Sequence, residues 1–410
     1  MKIIVVGAGL AGSACAHALA LRGCDVTVLD AVGSNHLAAD SGLNPALFTS
    51  PSSGLPVALM APHHGAASNP ITQLSHLGIT TTLQAVRTLL VAGRDWQHCG
   101  TLQRAGKLGP QAHWFNDAAW VKPAALVAAW LAHPRITLQA GAAVHRLQHN
   151  PGIAGTKCSW QAVDAQGSVL AQADAAVLAN AYQAKALLSS LGLQHAADAL
   201  HQVAGQVVYG PWTSQWQALW PQLLPELAWL RANDCASTSE PLATVYCAVN
   251  GNGHFIPALP WQGDAGELIW LSGSTYEHDA PNKPPDKPPN TQPNSPANNP
   301  QVTAQGLATN LQRLQQLIPA ATDLLAAQHS AGMLRGWAGA RCTTRDRLPM
   351  LGAVSQAHAP GLYACTAMGS RGLSFAAVCG QHLAACITQR PLDALPALLQ
   401  QSLAVERFQH

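Results

Sequence analysis

Three glycines near the start of the chain, Gly7, Gly9 and Gly12, form a G-x-G-x-x-G motif between an apolar stretch and a stretch rich in Ala and Leu. In such a motif the first glycine allows a tight turn, the second lets a pyrophosphate approach the backbone, and the third lets a helix pack closely on the sheet. The start of that helix offers free N–H groups to phosphates. Asp30, at the end of the next predicted strand, suits ribose hydroxyls and disfavours a 2′-phosphate. The motif predicts a dinucleotide site but does not decide whether the dinucleotide is NAD or FAD. The residues predicted to contact it are Gly7, Ala8, Gly9, Leu10, Ala11, Gly12, Asp30 and Ala31.

A second glycine turn lies near the other end of the chain and opens the last predicted helix. Backbone N–H groups at a helix start can point at the electron-rich edge of a flavin ring. An NAD dehydrogenase does not need such a turn, so the turn favours FAD. It adds five residues to the predicted cofactor contacts: Gly369, Ser370, Arg371, Gly372 and Leu373.

Predicted strands and helices alternate at both ends of the chain around a strand-rich middle. The strands are expected at Ile3–Gly7, Asp25–Asp30, Ile136–Gln139, Cys158–Val163, Val169–Ala171, Ala175–Ala179, within Val203–Ser274, and at Leu334–Gly336, Met350–Ala353 and Leu362–Cys365; the helices at Leu10–Arg22, Thr72–Val91, Pro123–Ala132, Val302–Ile318 and Leu373–Thr388. This order indicates two interleaved domains. We expect an α/β fold with a discontinuous Rossmann-like FAD-binding domain (residues 1–50, 134–195 and 330–410). An α+β substrate domain (residues 51–133 and 196–329), built mainly on an antiparallel sheet, lies over it.

The composition excludes several classes of protein. Of 410 residues, 48% are hydrophobic and 10% are charged, which rules out a wholly disordered chain. The formal net charge of +2 means that a nucleic-acid partner would need a local basic patch. The ten cysteines include no CxxC pair and are expected to be reduced thiols. No apolar window of about 18 residues predicts a membrane span, and the start of the chain lacks the order of a signal peptide. We therefore expect a cytoplasmic protein with no membrane partner.

Residues 279–300 differ from the rest of the chain. Eight of these 22 residues are proline and none is large and apolar. Such a segment cannot bury enough surface to offset the entropy of ordering it. We predict a disordered loop inserted in the substrate domain, either without function or used to dock a partner.

Short motifs spread over nearly the whole chain resemble the D-amino-acid-oxidase-like family of FAD enzymes. Within it they are most similar to the C-terminal oxidase domain of the bifunctional tRNA 5-methylaminomethyl-2-thiouridine biosynthesis enzymes. The most specific motifs are RCTTRD at Arg341–Asp346, LPM at Leu348–Met350 and GSRGL at Gly369–Leu373. The others are Met60–Pro62, Ser68–Pro70, Asp95–Trp96, Cys99–Gly100, Trp120 with Pro123, Leu178–Asn180 and Val203–Val207.

The resemblance implies a reaction and several site residues. The tRNA branch of the family oxidises 5-carboxymethylaminomethyl-uridine at the wobble position to 5-aminomethyl-uridine and releases glyoxylate. Non-covalently bound FAD takes up the hydride and O2 is the electron acceptor. The resemblance places Arg341 where it binds the substrate carboxylate, for which a planar guanidinium is well suited. Tyr276, at the end of the predicted strand Leu268–Ser274, is the second candidate catalytic residue and either lines the substrate pocket or is a core or loop aromatic. The resemblance also implies cofactor contacts at Ser53, Gly54, Val144, Ala179 and Asn180.

Departures from the family pattern leave the substrate open. The related tRNA enzymes often carry a methyltransferase domain, so the expected partners are tRNA or a small amine, O2, and a separate methyltransferase. Residues 52–58 lack the Asn and the second Gly of the usual flavin-contacting pattern. The alternative is an FAD-dependent oxidase or dehydrogenase of a free amine such as glycine, sarcosine or a D-amino acid. A non-catalytic module that keeps FAD as a structural ligand and an NAD-linked dehydrogenase are further alternatives.

The basic residues around Arg341 have two interpretations each. Arg341 is either the carboxylate ligand or an ion-pair partner of Asp346, which itself is expected to stabilise a turn. Arg345 and Arg347, together with Arg335 and Arg371, either form a basic patch for tRNA or are solvated surface charges.

Other residues near the motifs are expected to be structural. Cys342 is predicted to be a buried thiol and not a covalent flavin attachment. His63 and His64 have no carboxylate or Cys at ligand spacing, so no metal site is predicted. Tyr276 and Trp337 are open to both interpretations; Trp337 is the candidate for stacking on a nucleobase.

Overall fold

The computed structural model describes residues 1–32, 52–63, 65–104, 112–151, 159–224, 246–261, 266–278, 301–390 and 395–408. The predicted loop 279–300 and His64 lie outside these residues. The strands are β1 Lys2–Val6, β2 Asp25–Asp30, β3 Ala58–Met60, β4 Trp96–His98, β5 Thr101–Gln103, β6 His113–Phe115, β7 Ala119–Val121, β8 Ile136–Ala140, β9 Arg146–Asn150, β10 Ser159–Val163, β11 Val169–Ala173, β12 Ala175–Leu178, β13 His201–Pro211, β14 Ala248–Gly251, β15 Gly253–Pro260, β16 Leu268–Gly273, β17 Glu277–His278, β18 Arg335–Thr343, β19 Met350–Ser355 and β20 Ala359–Thr366. The helices are α1 Leu10–Leu21, α2 Pro70–Leu89, α3 Pro123–Leu131, α4 Ala184–Ser190, α5 Gln194–Asp198, α6 Ser214–Leu223, α7 Ala304–Leu317, α8 Thr322–Ser330, α9 Gly372–Thr388 and α10 Ala397–Leu403.

A six-stranded sheet carries both glycine turns. Its strand order is β19-β20-β12-β1-β2-β8, and all neighbours pair in parallel except β19, which pairs antiparallel with β20. The strands come from separate parts of the sequence: residues 2–30, 136–178 and 350–366. Residues 3–6 of β1 are buried, as expected for a parallel strand covered on both faces. The fold is thus of the mixed α/β class, as predicted; the domain bounds stay a prediction.

Helices α1 and α9 cover one face of this sheet at very close range. An added Cβ on Gly380 of α9 would lie 2.8 Å from the carbonyl carbon of Ala14 in α1. Glycine and alanine at these positions let the two backbones approach, which brings the starts of both helices to the same edge of the sheet. The Ala-rich composition noted in the sequence serves this packing.

The second large sheet is mainly antiparallel and is built around β13. This strand pairs over residues 201–209 with β18 on one side, and with β16 and β17 on the other. Helix α7 is fixed to it by Gln206, whose side chain donates to the Thr303 carbonyl oxygen at 3.1 Å and accepts from the Thr303 N–H at 2.9 Å. A cluster of buried aromatic residues, including Trp216 and Trp270, fills the core behind the sheet.

Most predicted elements are confirmed to within a few residues, but β18 is longer than expected. The sequence predicts a strand at Leu334–Gly336, whereas β18 spans Arg335–Thr343. The Gly and Ala residues of β18 give only a weak apolar alternation, so the sequence pattern does not reveal the full strand. Pairing with β13 is what stabilises it. As a result Arg341 lies on a strand and not in a loop. Among the described residues, no helix is long and apolar enough to cross a membrane.

Candidate functional site

The first glycine turn has the geometry that its sequence predicts. Gly7 has φ +101°, and an added Cβ there would lie 2.8 Å from the backbone of Ala179 and Asn180. An added Cβ on Gly12 would overlap the carbonyl oxygen of Gly7. Both positions therefore require glycine for the turn to join β1 and α1. Gly9 caps α1 without any side-chain hydrogen bond, so the helix start keeps N–H groups directed outward.

Two residues hold this turn from outside. The Asp30 carboxylate accepts the Ala8 N–H at 2.6 Å and the Val32 N–H at 2.8 Å. Ser53, 43 positions further along the chain than Leu10, accepts the Leu10 N–H on its Oγ at 2.9 Å. A carboxylate has about four acceptor positions, so Asp30 keeps capacity for ribose hydroxyls.

The residues around the turn fit FAD. The Asn180 Oδ1 atom is buried and has no hydrogen-bond partner among the described residues. Ala179 is buried beside Gly12, and Ala31 and Val144 are half-buried at the same end of the sheet. Glycines that admit a pyrophosphate, an acid for the ribose and an unsatisfied amide oxygen form a site for a dinucleotide.

The short turn Ser52–Gly54 connects the cofactor turn to the second sheet. Ser53 contacts the start of α1, while the Ser52 hydroxyl donates to the carbonyl oxygen of Ala340, the residue before Arg341. The altered segment 52–58 therefore still reaches both halves of the site, although it lacks the usual residues.

The second glycine turn opens α9, as predicted. Gly369 has φ +58°, and residues 369–371 form a single 3-10 turn before the helix begins at Gly372. The Arg371 Nη2 atom lies 3.0 Å from Nδ1 of His63, so His63 contacts the guanidinium of this turn. Within the described part of the chain, no cluster of three His, Cys, Asp or Glu side chains is arranged to hold a metal ion.

Arg341 lies on β18 opposite Val203, and its guanidinium is half-buried. Its Nη2 atom donates to Oγ of Ser274 at 2.6 Å, and Nη1 donates to the carbonyl oxygen of Thr275 at 3.3 Å. Its Cζ atom lies 4.7 Å from the centroid of the Tyr276 ring. The structure thus brings the two predicted catalytic residues, Arg341 and Tyr276, into contact.

The ion pair between Arg341 and Asp346 is absent. The Asp346 carboxylate accepts instead from Arg407 Nε at 2.8 Å and from the Leu348 N–H at 3.0 Å. Asp346 is therefore the turn residue that the sequence predicts, and the ion-pair interpretation of Arg341 is wrong. Among the described residues, the Arg341 guanidinium has no carboxylate partner.

Gly205 on β13 makes room for this guanidinium. An added Cβ on Gly205 would lie 2.5 Å from Nη1 of Arg341 and closer still to the Thr275 carbonyl oxygen. Sequence reasoning noted the Val203–Val207 motif but gave this glycine no function. Only the pairing of β13 with β18 reveals why a side chain is excluded here.

The site is strongly cationic. Burial lowers the pKa of both Arg341 and Arg371, while the nearby Tyr276 phenol opposes that effect. Burial would raise the pKa of Tyr276, but the charge of Arg341, hydrogen bonds with Ser370 and Ser274, and the charge of Arg371 outweigh it and lower that pKa. Tyr276 remains 54% exposed, whereas the Arg341 guanidinium that its ring contacts is half-buried.

His254 on β15 is a site residue that the sequence did not reveal. Burial, with a smaller effect of the Arg341 charge, lowers its pKa to about 4, so the imidazole is neutral near pH 7. Its Nε2 atom is buried without a partner among the described residues. No sequence motif marks this histidine.

Two other expectations about single residues have clear outcomes. Trp337 is 4% exposed and packs against Val207, so it cannot stack on a nucleobase, and that prediction is wrong. Cys342 is buried, and burial raises its pKa to about 12 even though a hydrogen bond with Thr366 opposes the shift. Because side chains alternate along a strand, its thiol faces away from the Arg341 side.

Comparison with known proteins gives matches over nearly the whole chain. The model of the FAD dependent oxidoreductase family (DAO) matches residues 2–386. Curated relatives are the tRNA 5-methylaminomethyl-2-thiouridine biosynthesis bifunctional proteins MnmC of Polaromonas sp. and Albidiferax ferrireducens, each 35% identical over 98% of this chain. The chain spans 58% of the length of these relatives.

Solved structures share the fold. Iminodiacetate oxidase from Chelativorans sp. BNC1 superimposes with a TM-score of 0.63 at 17% identity, with 98% of each chain covered. Glycine oxidase from Geobacillus kaustophilus superimposes with a TM-score of 0.63 at 15% identity, with 99% of each chain covered.

Proposed function

The chain belongs to the DAO family of FAD-dependent oxidoreductases, and we propose that it oxidises the CH2–NH bond of a secondary N-carboxymethyl amine carried at the wobble uridine of tRNA. The substrate would be 5-carboxymethylaminomethyl-(2-thio)uridine. Two electrons leave the CH2–NH unit to give an imine, water adds to the imine carbon, and the C–N bond breaks. The products are glyoxylate and 5-aminomethyl-(2-thio)uridine, with O2 as the proposed electron acceptor.

The observation that carries this proposal is the half-buried Arg341 guanidinium without a carboxylate partner in the described part of the chain. Its two bonds go to neutral oxygens, those of Ser274 and Thr275. A planar guanidinium in a partly desolvated site binds a carboxylate more strongly than it binds neutral oxygens. The carboxymethyl end of the substrate supplies that carboxylate.

The same charges favour the reactive form of the amine. Arg341 and Arg371 contribute to the lowered pKa of Tyr276, and the neutral His254 adds no further charge. A positive field that favours phenolate also disfavours an ammonium, so a bound amine loses its proton more easily. The site therefore needs no dedicated base to present a neutral amine.

The residues proposed to hold FAD come from both glycine turns and the segments around them. They are Gly7, Ala8, Gly9, Leu10, Ala11, Gly12, Asp30, Ala31, Ser53, Gly54, Val144, Ala179, Asn180, Gly369, Ser370, Arg371, Gly372 and Leu373. FAD supplies the two-electron acceptor for amine oxidation. Because the Cys342 thiol is buried and protonated, we propose that FAD is held without a covalent bond.

The names of similar proteins support the substrate class. The curated relatives are named for tRNA 5-methylaminomethyl-2-thiouridine biosynthesis. The structural neighbour from Chelativorans is named for iminodiacetate, which is itself a secondary amine bearing two carboxymethyl groups. Both names are consistent with an N-carboxymethyl amine. The curated relatives are named as bifunctional proteins of 5-methylaminomethyl-2-thiouridine biosynthesis, so we propose that a methyltransferase acts on the product.

A free small amine is the second candidate substrate. In this proposal the Arg341 guanidinium binds the carboxymethyl group, and that contact is the same whether or not the group is attached to RNA. Glycine, sarcosine or a D-amino acid also places a carboxylate next to an amine. This candidate uses the same residues and differs only in what lies beyond the amine.

Anaerobic flavin reduction separates the two candidates. The FAD-loaded protein is mixed in turn with tRNA bearing carboxymethylaminomethyl-uridine, with glycine, with sarcosine and with a D-amino-acid mixture, and flavin absorbance is followed. We expect rapid bleaching by the modified tRNA and no bleaching by tRNA lacking the carboxymethyl group. Bleaching by a free amine but not by the modified tRNA would assign the protein to small-molecule amine oxidation.

A further inference from the structure

We infer that residues 344–347, here called the arginine turn, form a docking surface for backbone phosphates of an RNA substrate beside the Arg341 pocket. The inference rests on the proposed function, because it names how an RNA bearing the reactive group would be held. It rests on the geometry of the turn, on the charges around it and on its position relative to the pocket.

The side chains of Arg345 and Arg347 in the arginine turn are exposed and are not neutralised by the carboxylate between them. The Asp346 carboxylate, which stands between Arg345 and Arg347 in the sequence, is occupied by Thr344, Arg407 and the Leu348 N–H. It is therefore not available to neutralise its neighbours. Both Arg345 and Arg347 are exposed, and neither side chain has a partner in the part of the chain that the structure describes.

Arg347 also has an unusual backbone conformation. Its φ is +62°, in the left-handed region that non-glycine residues rarely adopt. Such strain persists only where the surroundings impose it, and it is found preferentially at functional sites. Two hydrogen bonds hold the turn on either side of this residue: the Arg347 N–H donates to the Thr344 carbonyl oxygen at 3.1 Å, and the Leu348 N–H donates to the Asp346 carboxylate at 3.0 Å.

Like charges collect around the turn. After burial, the charges of Arg345 and Lys185 are the main causes of the lowered pKa of His201, with Asp198 opposing them; Lys185 is itself paired with Asp198 at 3.4 Å, whereas Arg345 is not. Arg347 likewise adds to the lowered pKa of Arg371. Cations held close together repel one another until an anion binds between them. A phosphodiester suits this arrangement, because guanidinium groups bind phosphate oxygens in pairs.

The turn is continuous with the pocket. Strand β18 ends at Thr343, two residues after Arg341, and the turn follows at once, so the Cα atoms of Arg341 and Arg345 are at most about 14 Å apart. Arg371 is close to both regions, because the charge of Arg347 lowers its pKa and the Tyr276 phenol raises it. A nucleotide with its side chain in the pocket would place its backbone near the turn.

Arg335, which the sequence grouped with these arginines, lies at the other end of β18. Its side chain donates to the carbonyl oxygens of Gly332 and Leu334. It is as exposed as Arg345 but stands a whole strand away, so Arg335→Gln provides a matched control.

The experiment measures binding and turnover separately. Binding of a fluorescently labelled tRNA anticodon stem-loop is followed by anisotropy over a range of salt concentrations, for the FAD-loaded wild type, R345Q/R347Q and R335Q. Turnover is compared on the modified tRNA and on the free modified nucleoside. We expect R345Q/R347Q to weaken stem-loop binding by about 10-fold per arginine and to lower the salt slope by about one per arginine. Turnover of the nucleoside is expected to stay within two-fold, and R335Q should behave as wild type.

Unchanged stem-loop affinity in R345Q/R347Q, an unchanged salt slope, or equal losses on tRNA and nucleoside would overturn the inference. Failure of the proposed function is distinguishable, because it would appear as absent turnover of both substrates by the wild type. The binding measurement still tests the arginine turn in that case.

Discussion

Replacing Gly205 with alanine is expected to displace the Arg341 guanidinium and weaken binding of substrates that carry a carboxylate. The added Cβ would lie 2.5 Å from Nη1 of Arg341, which is shorter than real Cβ contacts allow. The Thr275 carbonyl oxygen is still closer and belongs to the backbone, so it cannot move easily. The guanidinium must therefore shift, and the backbone around Thr275, whose carbonyl oxygen accepts from Arg341, must shift with it.

The magnitude follows from the bonds that position Arg341. Hydrogen bonds that involve a charged group contribute about 1.5–3 kcal/mol each, and the displaced guanidinium loses alignment for about one such bond to the substrate. This loss corresponds to a rise of about 10- to 150-fold in the dissociation constant of a carboxylate ligand. Because the carboxylate is held equally before and during the reaction, kcat should change much less than KM.

The assay uses methoxyacetate, which has the carboxymethyl group but no amine to oxidise. Its dissociation constant is measured from the change in the flavin spectrum of the FAD-loaded protein. A double-mutant cycle with Arg341→Met provides the control. We expect Gly205→Ala to weaken binding in the wild-type background and to add little once Arg341 has been removed.

Two results would refute this reasoning. One is a Gly205→Ala protein with full flavin content and wild-type thermal unfolding that binds methoxyacetate within two-fold of wild type. The other is an equal loss in the presence and absence of Arg341, which would mean that Gly205 acts on the site by another route.

Three further predictions concern the cofactor and the fold. Gly12→Ala should lower FAD affinity by about 5- to 150-fold, because the added methyl overlaps the carbonyl oxygen of Gly7 and overpacking of this kind costs about 1–3 kcal/mol; flavin content, with circular dichroism to confirm folding, measures it. Cys342→Ala should leave the cofactor attachment unchanged, since the buried thiol has a pKa of about 12. Acid precipitation should therefore release all FAD from wild type and variant alike. FAD retained only in the wild-type pellet would contradict this prediction. Burial would raise the pKa of Asp346, but its hydrogen bonds with Arg407 and other donors lower it overall. Its contribution, about 1 kcal/mol for a partly exposed pair, is therefore present above the ordinary carboxyl pKa and lost as pH falls below about 4. The difference in unfolding free energy between wild type and Asp346→Asn should be largest near pH 7 and shrink at acidic pH; a difference at pH 3 as large as that at pH 7 would contradict the assignment.

The cofactor turns could be predicted from the sequence because they are local. Gly12 lies five residues from the Gly7 carbonyl oxygen that excludes a side chain there, Gly7 takes its positive φ in the same short turn, and Asp30 follows at a spacing set by one helix and one strand. Arg341 was identified through the resemblance, but its partners were not. Ser274 lies 67 positions away and meets Arg341 only because β13, β16 and β18 pair in one register.

The wrong prediction for Trp337 has a similar cause. An aromatic residue next to a functional motif suits stacking, but its direction depends on strand pairing. Once β18 is known to start at Arg335, the indole can be assigned to the face that packs on Val207, where it is buried. His254 was missed because a single histidine in a β-strand gives no signal until Arg341 is placed beside it.

The most direct test of the proposed function is product analysis of a tRNA bearing carboxymethylaminomethyl-uridine after incubation with the FAD-loaded protein and O2. The nucleosides are separated and identified by mass spectrometry, and glyoxylate is quantified in the same reaction. We predict one glyoxylate for each carboxymethylaminomethyl-uridine converted to aminomethyl-uridine, with loss of both products in Arg341→Met. An unchanged nucleoside and no glyoxylate, from a protein whose flavin is reduced by free amines, would contradict the assignment to tRNA.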